Sequence, residues 1–176
     1  MPTFKIGDMI QHGVWNSLDP LLVTTNSYVN KRGELVMGKG FARQVSLHFR
    51  DHNLAQYFGE QIMLLDAHLK DYYILQHPVT RVCAFQVKRH WRLDAVPDVL
   101  WQSVVMLGQW ANNEPELTFN LNYPAIGNGG MTVEQVAPYL EWLPDNVHVW
   151  RLHDGPSESV VDRPRGQAYP SRDNRL

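Results

Sequence analysis

The chain has 176 residues, of which 44% are hydrophobic and 19% are charged, which indicates a single globular domain with a substantial core. Its net charge of −2 excludes a general basic field that attracts nucleic acid, although local basic patches are compatible with it. The single cysteine excludes an internal disulfide framework. No apolar run approaches membrane-spanning length, and the N-terminus lacks the signal-peptide pattern. We therefore expect a cytoplasmic protein with no membrane partner.

The first third of the chain predicts two strands followed by two helices. Residues 4–6 predict a short strand, and residues 21–25 are apolar and β-branched, as in a buried strand. Residues 41–49 carry apolar side chains at helical spacing, and residues 54–58 with some flanking residues predict a second helix.

A glycine-punctuated segment, residues 26–44, connects the second strand to the first helix. Such a segment is a common way to bind a phosphate, because glycine lets backbone N–H groups approach the anion and the helix N-terminus adds a favourable dipole. A surface loop that happens to contain three glycines is the alternative.

The middle of the chain predicts two strands, a cationic segment and a long helix. Residues 71–76 and 82–87 predict strands that pair through a turn around Pro78, and residues 88–92 read Lys-Arg-His-Trp-Arg. Asp94 is the predicted N-cap of the long helix. The core-facing residues of this helix recur at helical spacing, and they are Val96, Leu100, Val104, Leu107 and Ala111.

The last third predicts strands over 117–123 and 147–152 on either side of a helix. The first of these strands ends in a second glycine loop, residues 124–130. Residues 132–135 carry the capping-box pattern of a helix start. Pro138 conflicts with a straight helix, so we expect a break or kink there.

This order of strands and helices predicts an α/β fold with a mixed central sheet flanked by helices on both faces. Ligands of open α/β sheets bind beyond the carboxyl ends of the strands. Both glycine loops follow strands, so each would hold one phosphate of a pyrophosphate. Residues 153–176 are polar and aperiodic, and we expect a tail that is poorly ordered or docked on the surface.

Several short motifs resemble those of a macrodomain in their order along the chain. They are Gly7-Asp8, Thr25-Asn26, Val36-Met37-Gly38-Lys39-Gly40-Phe41-Ala42 and Ile126-Gly127-Asn128-Gly129-Gly130. Residues 85–92 resemble a narrower group, the DarG-type antitoxin macrodomains that remove ADP-ribose from DNA thymidine, and their relatives that cleave terminal ADP-ribose from protein glutamate. The resemblance implies an α/β/α macrodomain sandwich over residues 1–152.

The resemblance also implies a role for each matching residue. Asp8 would accept a hydrogen bond from the adenine amino group beside the Met9 backbone. Thr25 and Asn26 would lie at the ligand. The catalytic residues would be Lys88, near the anomeric carbon, and Asn26, near the distal ribose. The residues that would line the two sides of the diphosphate are Gly38, Lys39 and Gly40 in one loop, and Ile126, Gly127, Asn128, Gly129, Gly130 and Met131 in the other.

Two departures from the family pattern bear on substrate. Residues 30–35 look inserted and would reshape the mouth of the distal-ribose pocket. The second glycine loop continues as Gly130-Met131-Thr132, without the carboxylate that the protein-glutamate hydrolases carry there. This favours the comparison with the DNA-type antitoxins over a lysine–aspartate pair.

Each candidate residue has a structural alternative. Asp8 is also a typical turn or capping carboxylate, and Asn26 would satisfy the backbone of its loop. Lys88 would be a solvated charge beside Arg89 and Arg92. If it is instead partly desolvated near other cations, its pKa is lowered, and it would either attack the anomeric carbon or stabilise charge that develops there.

The cationic segment offers contacts to nucleic-acid phosphates through Arg89, His90 and Arg92. Ion pairs with Asp94 or Asp98 are the alternative.

Other residue types carry weaker signals. Trp91 would stack a base or, as the alternative, pack in a core or an interface, and Cys83 lies in an apolar run typical of a core. The histidines are scattered, so we predict no metal site and no cofactor; seven of them are His12, His48, His52, His68, His77, His148 and His153.

The resemblance implies an ADP-ribosyl glycohydrolase that acts on ADP-ribosylated DNA or, as a second substrate, protein. An antitoxin with this activity would have an ADP-ribosyltransferase toxin as its partner. A module that binds ADP-ribose without turnover is the main alternative, because fold does not fix function. A phosphatase that acts on ADP-ribose phosphate is a weaker third reading.

Overall fold

The computed structural model describes residues 1–16 and 18–152, and the predicted tail lies outside them. Within these residues, six strands and four α-helices follow one another in the predicted order. The strands are β1 (Thr3–Ile6), β2 (Leu21–Thr25), β3 (Ile74–Gln76), β4 (Val82–Gln86), β5 (Phe119–Asn122) and β6 (Val147–Arg151). The helices are α1 (Gly40–His48), α2 (Leu54–Leu64), α3 (Pro97–Asn113) and α4 (Val133–Leu140). No helix in this part of the chain is long and apolar enough to cross a membrane.

The six strands form one mixed sheet in the order β1-β6-β5-β2-β4-β3. All neighbouring pairs are parallel except β3 and β4, which pair antiparallel across the turn that contains Pro78, as predicted. The five parallel strands therefore end at one edge of the sheet, and the loops that follow them share that edge.

Helices cover both faces of the sheet, because side chains of successive strand residues point to opposite sides. Leu22 of β2 packs in a cluster with the apolar faces of α3 and α4. Its neighbours Leu21 and Val23 pack in a second cluster with α1 and α2. Cys83 belongs to the first cluster, is fully buried and has a thiol pKa raised by burial, which confirms its interpretation as a core residue.

Two local predictions in the second half of the chain have different outcomes. Thr132 forms the predicted capping box, because its hydroxyl accepts from the Gln135 N–H at 3.2 Å while the Gln135 side chain accepts from the Thr132 N–H at 2.9 Å. A break at Pro138 is wrong, because α4 passes through this residue and ends at Leu140.

Two other boundaries differ from their predictions for clear reasons. The N-cap of α3 is Val96 rather than Asp94, because Pro97 already occupies the first helical turn. Strand β3 begins at Ile74 rather than at residue 71. The Tyr72 and Tyr73 N–H groups donate instead to the Gln86 side chain, and Tyr73 has a φ of +63° that interrupts extended backbone.

Candidate functional site

The predicted site residues lie in loops that leave one edge of the sheet. Asp8 follows β1, Asn26 follows β2, Lys88 follows β4, and residues 126–131 follow β5. These four strands run parallel, so residues far apart in sequence meet at their carboxyl ends. The fold thus brings the sequence-predicted set to one edge, where ligands of α/β sheets bind.

Asp8 and Lys88 mark opposite ends of this edge. Strands β6, β5 and β2 lie between β1 and β4. Four inter-strand spacings of about 4.8 Å separate β1 from β4 by roughly 19 Å. A ligand that contacts both residues must therefore be extended.

The two glycine loops lie side by side at the middle of the edge. A Cβ atom placed on Gly40 would lie 3.7 Å from Nδ2 of Asn128. Gly40 has a φ of +57° and begins α1, and its N-cap residue Lys39 provides no side-chain hydrogen bond to the helix. The first N–H groups of α1 are therefore available to an anion that binds between the loops.

Lys88 is the buried cation of the site. Its side chain reaches from the end of β4 into the loop region, and the residue is only 7% exposed. The ammonium group donates to the backbone carbonyls of Trp91 at 3.2 Å, Leu93 at 3.0 Å and Asn128 at 2.7 Å. These three acceptors account for its three protons, so Lys88 ties the segment after β4 to the second glycine loop. The structural alternative for Lys88, a solvated charge, is therefore wrong.

The surroundings of Lys88 act on its pKa in opposite directions. Burial lowers the pKa, the nearby carboxylate of Asp94 raises it, and the charge of Lys39 lowers it. Arg89 and Arg92, which are adjacent in sequence, are not among these causes. The predicted lowering of the pKa by desolvation is thus present, whereas the cation involved is Lys39.

The side chain of Gln86, at the end of β4, hydrogen-bonds to the backbone of residues 70–73 and of Lys88. The sequence did not predict this role. Its side-chain oxygen accepts from the N–H groups of Tyr72 and Tyr73 at 2.8 and 3.0 Å. Its side-chain nitrogen donates to the carbonyls of Lys70 and Lys88 at 2.8 and 3.2 Å. The available signal was a polar residue at the end of an apolar strand, since a buried amide of this kind needs partners.

Asn26 organises its own loop from a position that is 4% exposed. Its side chain accepts from the Tyr28 N–H at 2.9 Å and donates to the Val36 carbonyl at 2.8 Å. The hydroxyl of the buried Tyr72 donates to the Asn26 carbonyl at 2.9 Å and contacts the Thr25 hydroxyl at 2.6 Å. The structural alternative for Asn26 is therefore present in the fold, and Thr25 is held by the same network.

Asp8 closes the turn after β1. Its carboxylate accepts from the Ile10 N–H at 2.8 Å, its carbonyl accepts from the His12 N–H at 3.1 Å, and the following Met9 is 3% exposed. The carboxylate of Asp8 is partly exposed. The turn role expected of Asp8 is present, and its hydrogen bond from the Ile10 N–H uses one of the two carboxylate oxygens.

The cationic segment after Lys88 divides into a paired and an exposed part. Arg89 makes a bidentate ion pair with Asp71, at 2.8 and 2.7 Å, so the expected partners Asp94 and Asp98 are wrong. His90 accepts from the backbone N–H of Arg92 at 3.1 Å. The exposed guanidinium of Arg92 lies 4.5 Å from the centre of the Trp91 ring. Within the described residues, Arg92 is thus an exposed cation of this segment that no ion pair engages.

The segment predicted as an insertion, residues 30–35, forms a small hairpin against α2. Val29 and Leu35 form an antiparallel bridge, and Leu35 is 1% exposed and donates its N–H to the Ala55 carbonyl at 2.8 Å. Gly59 of α2 lies directly against the backbone of Gly33. The hairpin is anchored on the helix and leads back to Val36, which the Asn26 amide contacts.

Within the described ranges, 1–16 and 18–152, no three histidine, cysteine, aspartate or glutamate side chains form a group that could hold a metal ion. A groove of about 280 Å³ lies at the β3 edge and is lined by Ile74, Gln76, Met106 and Trp110. It contains none of the predicted site residues.

Solved structures similar to this chain are macrodomains. The macrodomain of Thermus aquaticus DarG is 22% identical over 87% of this chain and 98% of its own, with a TM-score of 0.61. The macrodomain of Mycobacterium tuberculosis DarG is 18% identical over 87% of this chain and 99% of its own, also with a TM-score of 0.61. Thermosipho africanus DarTG in complex with ADP-ribose is 19% identical over 86% of this chain and 43% of that longer chain, with a TM-score of 0.64.

No protein-family model matches the chain, and no curated protein sequence matches it significantly. The similarity therefore lies in the fold. The chain has the macrodomain fold, with the mixed sheet between two layers of helices that the sequence predicted.

Proposed function

We propose that this chain is an ADP-ribosyl hydrolase that binds ADP-ribose along the carboxyl edge of its sheet and removes it from ADP-ribosylated DNA. The observation that carries the proposal is the buried ammonium of Lys88, which sits between the segment after β4 and the second glycine loop. A buried lysine held at a loop junction is costly to maintain, and such groups cluster at functional sites.

The shape of the site supports an extended nucleotide sugar. Adenine and the distal ribose of ADP-ribose stand at opposite ends of a diphosphate, and Asp8 and Lys88 stand at opposite ends of the edge. The two glycine loops between them offer backbone N–H groups to the diphosphate. The fold similarity to Thermosipho africanus DarTG, whose structure contains ADP-ribose, supports the same ligand.

Lys88 acts in this proposal as a fixed positive charge. Its three protons are directed at three carbonyl oxygens, so the amine has no lone pair free for attack on carbon. Water adds to the anomeric carbon of the distal ribose, the glycosidic bond breaks, and its bonding electrons stay on the DNA base or protein carboxylate. The proton that the water loses passes to that leaving group or to solvent, and ADP-ribose is released. The ammonium stabilises the charge that develops on the leaving group.

DNA is the proposed substrate ahead of protein. The second glycine loop itself carries no carboxylate at residues 130–132, although Asp94 lies against Gly130 from the neighbouring loop. The observation that favours DNA is the exposed cation of Arg92, which follows Lys88 by four residues and stacks on Trp91. If Arg92 contacts a DNA phosphate, Arg92→Gln weakens binding of ADP-ribosylated single-stranded DNA and reduces the salt dependence of that binding by about one counterion. An ADP-ribosyltransferase toxin is the proposed partner, and the similar DarG and DarTG structures support it.

An ADP-ribose reader without turnover is the second candidate. It is favoured by the same hydrogen bonds, because the side chains of Lys88 and Asn26 are already engaged by backbone groups of the protein. In this case the two residues would only shape the loops that hold the ligand.

The experiment follows release of free ADP-ribose from ADP-ribosylated single-stranded DNA and from glutamate-modified protein. We expect release from DNA by the wild type, and we expect Lys88→Ala to abolish release while ADP-ribose binding, measured by calorimetry, is retained. Lys70→Ala is the matched control, because Lys70 is exposed and its ammonium pairs with Asp66 on the surface.

Each outcome has a defined meaning. Binding without release from either substrate identifies a reader, and release from protein alone identifies the second substrate. Wild-type turnover by Lys88→Ala removes this residue from the mechanism. No heat with free ADP-ribose overturns the proposed ligand.

A further inference from the structure

Asp94 lies against the second glycine loop although no pattern in the sequence connects them. Its Oδ1 atom is 2.6 Å from the position that a Cβ atom would occupy on Gly130. The next residue packs in the same way, because the Ala95 N–H donates to the Gly129 carbonyl at 2.7 Å, and a Cβ on Gly129 would lie 3.5 Å from that of Ala95. The backbone bond of Ala95 thus places the Asp94 side chain beside this loop.

The carboxylate of Asp94 has no other task in the described part of the chain. No ion pair or side-chain hydrogen bond engages it there, and the residue is exposed. It is not the N-cap of α3, a role that falls to Val96. The charge of Asp94 raises the pKa of Lys88, against the larger lowering that burial causes. The carboxylate thus lies beside the second glycine loop and near the buried ammonium, where the loops that follow β4 and β5 meet.

The charge of Asp94 determines which part of a ligand can bind beside it. A carboxylate repels a diphosphate at short range, because both groups carry negative charge. It accepts hydrogen bonds from hydroxyl groups, and a ribose carries such groups. The loop at Gly130 therefore fits a sugar, whereas the diphosphate fits nearer to Gly40 and Asn128, which lie side by side.

We propose that Asp94 is the residue that receives the distal ribose, accepting hydrogen bonds from its hydroxyl groups at Gly130 and thereby selecting ADP-ribose over ADP. This inference rests on the proposed ADP-ribose site and adds its ligand orientation, with the distal ribose beside Gly130 and Lys88. Gly130 is required at this point because its φ is +75° and any side chain would displace the carboxylate.

The test is calorimetric titration of the intact chain with ADP-ribose and, separately, with ADP. We expect Asp94→Ala to weaken ADP-ribose binding at least tenfold and to leave ADP binding unchanged or slightly tighter. We expect Asp94→Asn to fall between the wild type and Asp94→Ala, because a neutral carboxamide oxygen still accepts. Asp98→Asn is the matched control, since Asp98 is an exposed carboxylate four residues later, in the first turn of α3.

The outcomes separate this inference from the proposed function. An unchanged preference for ADP-ribose over ADP in both Asp94 variants overturns the inference, as does an equal loss for the two ligands or a wild type that binds neither. ADP-ribose release by the wild type is measured on the same preparations. If the wild type releases ADP-ribose and the Asp94 variants keep the preference for ADP-ribose over ADP, only the role of Asp94 is rejected. If the variants lose this preference and the wild type releases no ADP-ribose, the role of Asp94 is kept and the hydrolase is rejected.

Discussion

The ammonium group of Lys88 donates a 2.7 Å hydrogen bond to the backbone carbonyl of Asn128, 40 residues away in the sequence. Together with the carbonyls of Trp91 and Leu93, this contact makes a three-acceptor cradle that fits a compact ammonium. The cradle couples the position of the cation to the shape of the glycine loop, so the two cannot change independently.

Lys88→Arg tests whether charge alone is sufficient. The planar guanidinium keeps the charge but cannot direct three protons at three converging carbonyls. We therefore expect ADP-ribose release to fall at least about 100-fold, or about 2.7 kcal/mol of transition-state stabilisation. Single-turnover assays with ADP-ribosylated DNA measure the change, and Lys70→Arg should match the wild type. Undiminished turnover in Lys88→Arg would mean that the cradle geometry is irrelevant to catalysis.

Substitutions of Gly38 and Gly127 should separate an effect on ligand binding from an effect on folding stability. A Cβ on either residue meets no atom within 4 Å, but only Gly127 has a left-handed φ, of +60°. We expect Gly127→Ala to lower stability by about 1 to 2 kcal/mol. Gly38→Ala should leave stability unchanged and weaken ADP-ribose binding about tenfold or more, because its methyl group enters the space where the diphosphate approaches the backbone.

Denaturant unfolding and calorimetry with ADP-ribose measure the two effects of each variant. A Gly38→Ala protein that is equally stable and binds ADP-ribose with unchanged affinity would show that the first glycine loop does not contact the ligand.

Local patterns predicted the element order, because strand alternation and helical spacing are short-range signals. Lys88 was singled out by the family resemblance of its segment, and its catalytic role stays a prediction. The contacts that define the site were not predictable in this way. Arg89 pairs with Asp71, 18 residues earlier, and Asp94 meets Gly130, 36 residues later. The first pair depends on how the segment before β3 meets the loop after β4, and the second on how the loops after β4 and β5 meet. The local pattern encodes neither arrangement.

Gly59 of α2 is required for the close packing of the hairpin at residues 30–35. A Cβ at this position would overlap the carbonyl oxygen of Gly33 and lie 2.9 Å from the Cα of Glu34, and neither backbone atom can rotate away. We expect Gly59→Ala to destabilise the protein by about 1 to 3 kcal/mol, although alanine is the better helix former by about 1 kcal/mol.

Gly108 in α3 is the matched control for this change. The nearest atom to its Cβ position is the Trp142 carbonyl oxygen at 3.8 Å, which is ordinary contact. Gly108→Ala should therefore stabilise the fold by up to about 1 kcal/mol. Thermal unfolding of both variants measures the difference, and equal midpoints would contradict the tight contact between α2 and the hairpin.

His77 makes stability depend on pH. Burial lowers its pKa, and the charge of the neighbouring His52 lowers it further. The ring nitrogen Nδ1 also accepts from the Thr80 N–H at 3.1 Å, which requires the unprotonated nitrogen. The folded protein therefore binds fewer protons than the unfolded chain between the folded pKa of His77 and its ordinary value of about 6.5. The free energy of unfolding must fall as pH decreases through this window.

His77→Gln should flatten this pH dependence, because glutamine has no proton to gain. The slope should not vanish, since burial also lowers the pKa values of His90 and His148. Denaturant unfolding at several pH values between 5 and 8 measures the slope, with the wild type and His148→Gln as references. A slope in His77→Gln as steep as that of the wild type would exclude His77 as a source of acid sensitivity. A further flattening when His77→Gln and His148→Gln are combined in one protein would assign the remaining slope to His148.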